Sequence, residues 1–246
     1  MRLHLLKNNG WILLGILLLL SGCHQSPKQY TNKFWAHKAN DIEVAKQKRQ
    51  LFKGLEVDLV YSAYQNELFV GHEFRDTLKG LTFSQWMAAL GRPRSTRFWL
   101  DVKNLDTTNA EQISLLIRKV TDKYHIRRHV LVENQSHQAL KIVKEHKLPV
   151  LLWVDNLYWI FPHDTVAWLK TTQEHVNELC PNGLSCEYRL YPLLNSSFPE
   201  NDIYYWHTPC DKTPENVEFD KMLAKEQNIK VILVDYDEPV EFTEDD

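Results

Sequence analysis

Glycine is scarce in this chain of 246 residues, with only eight, alongside ten prolines, four cysteines and three methionines. So few glycines and prolines exclude a collagen-like or low-complexity chain, and neither an internal repeat nor a long polar tract is present. Positive charge is not in excess either. Lys and Arg number 29 against 32 Asp and Glu, so the chain lacks the electrostatic footprint of a nucleic-acid binder. Its eight tryptophans are scattered at core-like positions and form no stacking platform for bases. None of the cysteines has zinc-site spacing. What remains is a chain 43% hydrophobic, long enough for one large α/β domain or two small ones.

The most apolar stretch, Trp11 to Leu20, is too short for a comfortable transmembrane helix. It follows Arg2 and Lys7 and ends in small residues, the layout of a secretory signal. The exit Leu20-Ser21-Gly22-Cys23 resembles the bacterial lipobox, so residues 1–22 are expected to be a lipoprotein signal peptide and Cys23 the lipidated residue. An ordinary signal peptide or signal anchor with a chance cysteine is the alternative. Residues 23–32 then form a tether, and the protein is expected in the bacterial cell envelope, anchored to the membrane through Cys23. His24 in place of Asp after that cysteine points to the outer membrane, facing the periplasm. Cleavage removes Arg2 and Lys7 and no acid, taking the net charge from −3 to about −5. Among the cysteines left, Cys180 and Cys186 are the preferred disulfide pair in an oxidising compartment, which leaves Cys210 odd.

From residue 33 to 246, β-type runs alternate with helix-type runs. The strand runs are 34–37, 54–61, 97–104, 129–134, 148–156, 185–191, 202–207 and 229–236. Between them lie helical patterns such as AEQISLLIRKVTDKY, with Ile113, Leu116, Ile117 and Val120 on one face, and starts marked by Ser136 and by Thr213-Pro214. Eight strands separated by helices predict a parallel sheet closed as a single-domain (β/α)8 TIM barrel, with a doubly wound open sheet as the alternative. Pro192 to Asn201 is too short and too rich in Pro, Asn and Ser for a helix, so the outer ring is expected to be incomplete there.

In such a barrel the active site lies at the carboxyl ends of the strands. Glu56 and Asp58 alternate with apolar Leu55, Val57 and Leu59, so both carboxylates share one face. Asp101 and Lys103 alternate in the same way in WLDVKN, and His37 and His72 fall near the same rim. Three carboxylates without sulfur suit a hard divalent cation, Mg²⁺ or Ca²⁺. Lys103 could instead neutralise the acids in a metal-free network. Two histidines flanking them are the natural acid and base near neutral pH. Arg189, on the sixth strand run, could hold a phosphate bidentately. Glu133, Asn134, Trp153, Asp155, Glu187, Trp206, His207 and Asp235 are further polar or aromatic strand-end residues, for each of which packing or solvation is the simpler reading.

The ordered set His37, Asn40, Glu56-Val-Asp58, His72-Glu73 and Leu100-Asp101-Val-Lys103 resembles the glycerophosphodiester phosphodiesterase superfamily of PI-PLC-like barrels. HKAN and WLDVKN look more like its sphingomyelinase D-like and menorin-like branches, and VILVDYDEP looks like its last strand. The resemblance implies phosphodiester hydrolysis by His37 and His72 as acid and base, with Glu56, Asp58 and Asp101 as metal ligands. It implies Lys103 and Asn40 beside the substrate, a small-molecule or lipid phosphodiester, and often a cyclic phosphate formed first. A monomer is expected. Lys38 and Ala39 stand where the family has Arg and Gly, Glu73 where the housekeeping enzymes commonly have Asp, and the large insertion after the second histidine is missing. A catalytically silent barrel that binds a ligand or acts as a scaffold is the alternative function.

Overall fold

Leu55, Val57 and Leu59 pack outward against helices, while their neighbours Gly54, Glu56 and Asp58 point the other way, and this alternation recurs strand after strand. In the computed structural model, which describes residues 27–154, 164–207 and 212–243, nine strands run in chain order. They are β1 (Phe34–Ala36), β2 (Gly54–Ser62), β3 (Glu67–Val70), β4 (Arg97–Val102), β5 (Val130–Asn134), β6 (Val150–Trp153), β7 (Gly183–Glu187), β8 (Ile203–Trp206) and β9 (Ile229–Val234). All but β3 pair in parallel, and β1 contacts both β9 and β2, which closes the ring. The protein is therefore a (β/α)8 barrel and not an open sheet. The signal segment and the first part of the tether, residues 23–26 with Cys23, lie outside the described residues, as do Asp155 and Cys210.

Local signals place the surrounding helices. Asp41 accepts from the N–H groups of Glu43 and Val44 to start the helix Ile42–Leu51, and Thr82 and Gln85 form a capping box for Phe83–Leu90. Ser136 caps His137–Glu145, and Thr213 caps Pro214–Ala224 with Pro214 in the first turn. The apolar faces of these helices and the outward faces of the strands make one continuous core. A second apolar cluster, Trp35, Trp99, Leu151, Tyr204, Val231 and Leu233, fills the inside of the barrel. This plug matters for function, because it leaves only the two ends of the barrel open.

Four expectations are corrected. β3, the run ELFV, is an extra strand that folds back antiparallel on β2 after a turn in which Asn66 takes a left-handed φ of 53°. The sixth strand run stops at Glu187, because the Glu187 carboxylate accepts the Arg189 N–H and curls Tyr188–Leu190 into a 3-10 turn. Residues Tyr191–Ser197 do form a helix, with Pro192 in the first turn where its missing N–H costs nothing. At seven residues it is still the thin part of the ring. Finally, no disulfide joins Cys180 to Cys186: Cys186 is fully buried among apolar side chains, whereas Cys180 is exposed at the end of the helix Thr165–Leu179. No described helix is long and apolar enough to cross a membrane.

Candidate active site at the carboxyl end of the barrel

Strand register decides which side chains meet. Asp58 lies opposite Asp101, and Asp101 opposite Glu133, so β2, β4 and β5 aim carboxylates into one end of the barrel. Oxygens of Glu56, Asp58 and Asp101 lie within 4.8 Å of one another. They line a cavity of about 270 Å³ together with His37, His72, Lys103, Glu133, Trp153 and Trp206. The expected acids, both histidines and the lysine are thus brought together.

Such crowding is costly without a counter-charge, and the ionisation of the acids reflects it. Burial pushes the Glu56 carboxyl well above the usual range, and the nearby Asp58 and Asp101 add to the shift. The Lys38 N–H, presented by a left-handed φ of 52°, donates to Glu56 Oε2 at 2.7 Å and partly offsets this. Burial also raises Asp101, against the pull of Lys103. The Lys103 ammonium bridges Asp58 Oδ1 at 2.7 Å and Asp101 Oδ2 at 2.6 Å. Burial works against that charge, but Asp101 and Asp58 overcome it and hold the lysine protonated well above its ordinary pKa. One ammonium faces three clustered carboxylates and Glu133, so full ionisation of the acids leaves surplus negative charge that only a further cation can balance. Oxygen donors, surplus charge and convergence together fit a hard divalent cation.

The histidines are placed by different means. His37 follows β1 directly, and its Nδ1 lies 3.0 Å from Asp235 Oδ1, just beyond β9. Burial alone would raise Asp235, but the hydrogen bond and charge of His37 outweigh it and hold its pKa below the usual range. An ionised Asp235 can only accept, so Nδ1 carries the proton and Nε2 is left free on the side of Glu56, 3.9 Å from its Oε2. His72 is carried on the loop after β3. There the Asp76 carboxylate accepts the backbone N–H groups of His72 and Glu73 at 2.8 and 2.9 Å. Gly71, with φ at 156°, lets this happen, since a Cβ there would stand 2.4 Å from that of Asp76.

Other expected residues sit less directly. Asn40 does not line the cavity; its amide donates to Asp58 Oδ2 at 2.7 Å and accepts from the Asp58 N–H at 2.9 Å, so it fixes that carboxylate. Arg189 is exposed on the 3-10 turn, hydrogen-bonded to Glu187 and clear of the cavity lining. His207 turns outward, where buried Asp220 accepts from the hydroxyls of Tyr205 and Tyr236 and lies 3.3 Å from His207 Nδ1. Asn134 also turns away, donating to the Val102 carbonyl.

Two residues whose sequence signal was weak gain weight. Asp235 orients His37, a pairing created only by closure of β1 on β9. Glu133 is 3% exposed, and burial with the neighbouring Asp101 charge pushes its carboxyl up to about 8. Trp99 and Ser185 face it and lower that value somewhat, yet none of these contacts reaches hydrogen-bond geometry. Glu133 Oε1, Trp99 Nε1 and Ser185 Oγ stay buried without partners.

No family model matches the chain, and no curated protein matches it. Solved structures do. A glycerophosphodiester phosphodiesterase from Parabacteroides distasonis superposes with a TM-score of 0.58 at 16% identity, over 82% of this chain and 92% of that one. An Oleispira antarctica phosphodiesterase, in complex with the product sn-glycerol-3-phosphate, gives 0.57 at 13% identity, over 86% and 96%. The chain shares the fold of these enzymes. A glycerol uptake operon antiterminator-related protein from Thermotoga maritima also superposes, at 0.52 and 12% identity over 84% and 96%, so the fold by itself does not set the chemistry.

Proposed function

We propose that this protein is a phosphoric diester hydrolase of the glycerophosphodiester phosphodiesterase type, dependent on one divalent cation, Mg²⁺ or Ca²⁺. The observation that carries the reading is the convergence of Glu56, Asp58 and Asp101 oxygens between His37 and His72 at the catalytic end of the barrel. Glu56, Asp58 and Asp101 would hold the cation, which supplies positive charge against the phosphoryl oxygens when bound. Lys103 keeps Asp58 and Asp101 in place and lends its own charge to the phosphate. His37, oriented by Asp235, exchanges a proton at Nε2, and His72 on the loop after β3 serves the other oxygen of the scissile diester. The buried walls around Glu56 and Glu133 keep water from screening these charges.

The substrate is a small-molecule or lipid phosphodiester, in line with the glycerol phosphate held by the Oleispira protein. The N-terminal sequence supports a lipid anchor at Cys23 and a place in the bacterial envelope, at the periplasmic face of the outer membrane. One observation favours a second reading: Lys103 already bridges two of the three acids, so the cluster could stand without a cation in a silent binding module. Hydrolysis of bis(4-nitrophenyl) phosphate with and without EDTA separates the two. Turnover lost on chelation, and lowered by roughly 10² to 10⁴ in His37→Ala, supports the enzyme. Absence of turnover, with thermal stability indifferent to Mg²⁺ and Ca²⁺, supports the module.

A further inference from the structure

The other end of the barrel, where the strands begin, holds a second cavity of about 260 Å³. Four cations line it, each from the start of a different strand. Lys53 directly precedes β2, Arg97 opens β4, Arg128 lies in the 3-10 turn before β5, and Lys230 is the second residue of β9. This clustering runs against the composition, since acids outnumber Lys and Arg in the whole chain. Lys230 has a carboxylate near, Asp202 at 3.2 Å. Among the described residues no carboxylate lies within ion-pair distance of Lys53, Arg97 or Arg128, although Arg127 next door is paired with Asp122. The like charges are felt: burial, then the charge of Lys230, lowers the neighbouring Lys33 to about 8. His129 lines the same cavity.

The cavity has its own floor, made by Trp35 and Tyr204 of the interior plug. Gly54 makes room for that floor, because a Cβ there would stand 2.2 Å from the Trp35 ring. The plug separates this cavity from the carboxylate mouth, and it is a site of opposite charge. Three cations without a carboxylate at ion-pair distance, two of them guanidinium groups that can grip oxyanions bidentately, match a compact multivalent oxyanion. We propose that the amino-terminal end of the barrel binds a phosphate group, carried either by a small solute or by a lipid headgroup. This does not depend on the phosphodiesterase reading, because none of the residues involved belongs to the mouth.

The test uses the full-length protein with EDTA present and inorganic phosphate as the probe, against chloride at equal ionic strength. Phosphate should raise the melting temperature saturably, and Arg97→Gln combined with Arg128→Gln should weaken its apparent affinity by roughly tenfold or more. Lys103→Gln, at the mouth, should leave that affinity unchanged. Cosedimentation with phosphatidylglycerol vesicles, against phosphatidylcholine alone, assigns the headgroup if binding is lost in the double variant. Arg97, Arg128 and Lys53 are all exposed, and Lys53→Gln is a second probe should the double variant fold poorly. Unaltered phosphate affinity in both Arg97→Gln/Arg128→Gln and Lys53→Gln overturns the proposal. So does an equal chloride effect, or silence with both phosphate and vesicles.

Discussion

The two sides of the barrel mouth are built from different chemistry. β1, β2, β4 and β5 bring His37, Glu56, Asp58, Asp101 and Glu133, while β6, β8 and β9 bring Trp153, Trp206 and Leu233. Trp153 and Trp206 meet edge to face at 6.0 Å, and Trp206 meets Trp99 of the plug at 6.4 Å. The charged side can polarise and exchange protons. Among the described residues the aromatic side adds no ionisable group to the cavity lining, and on the proposed reading its work is to exclude water and bound the substrate. The proposed function thus assigns chemistry and selectivity to different walls of one cavity.

That division can be broken most forcefully on the charged side. Asp58→Asn removes a ligand candidate and leaves Lys103 with one carboxylate fewer. The expected loss in kcat/KM is roughly three orders of magnitude, the several kcal/mol that cation-stabilised charge is worth. Cation affinity, read by calorimetry, should fall with it. On the aromatic side, Trp206→Ala should lower kcat/KM by about tenfold, mainly through KM, with cation affinity unchanged. A large fall in cation affinity in that variant would show that the two walls are not separable.

Glu133 sharpens the comparison through pH. Its carboxyl is pushed from an ordinary 4.5 to about 8 in the folded protein. Below the ordinary value both states are protonated and its contribution to stability is fully present. As pH rises towards 8 the unfolded chain ionises first, so the cation-free protein should lose stability across that window. Glu133→Gln should flatten this part of the profile in thermal denaturation with EDTA. The smallest effect is expected from Arg189→Ala. With its guanidinium held by Glu187 at the outer rim, kcat/KM should change by less than about twofold.

The residues that could be read from sequence are those whose signal is local. Glu56 with Asp58, and Asp101 with Lys103, betray themselves by alternating with core residues two apart, and Thr82, Ser136 and Thr213 mark helix starts within one turn. The role of Asp235 was hidden because nearly the whole chain separates it from His37, and only barrel closure joins them. The resemblance alone implies Asn40 beside the substrate; the fold puts both ends of its amide on Asp58. β3 was missed as a short run between polar turns, although it carries the chain to His72. Cys180 and Cys186 are near in sequence, but the strand sends one into the core while the helix end leaves the other in solvent.

The chain enters the barrel through the short helix Pro27–Thr31 and Asn32, beside the basic cavity, before β1 runs towards His37. Anything that grips the protein by its leading end therefore holds it by the base. On the proposed reading of an anchor at Cys23, the acidic opening faces away from the point of attachment and towards the surrounding fluid.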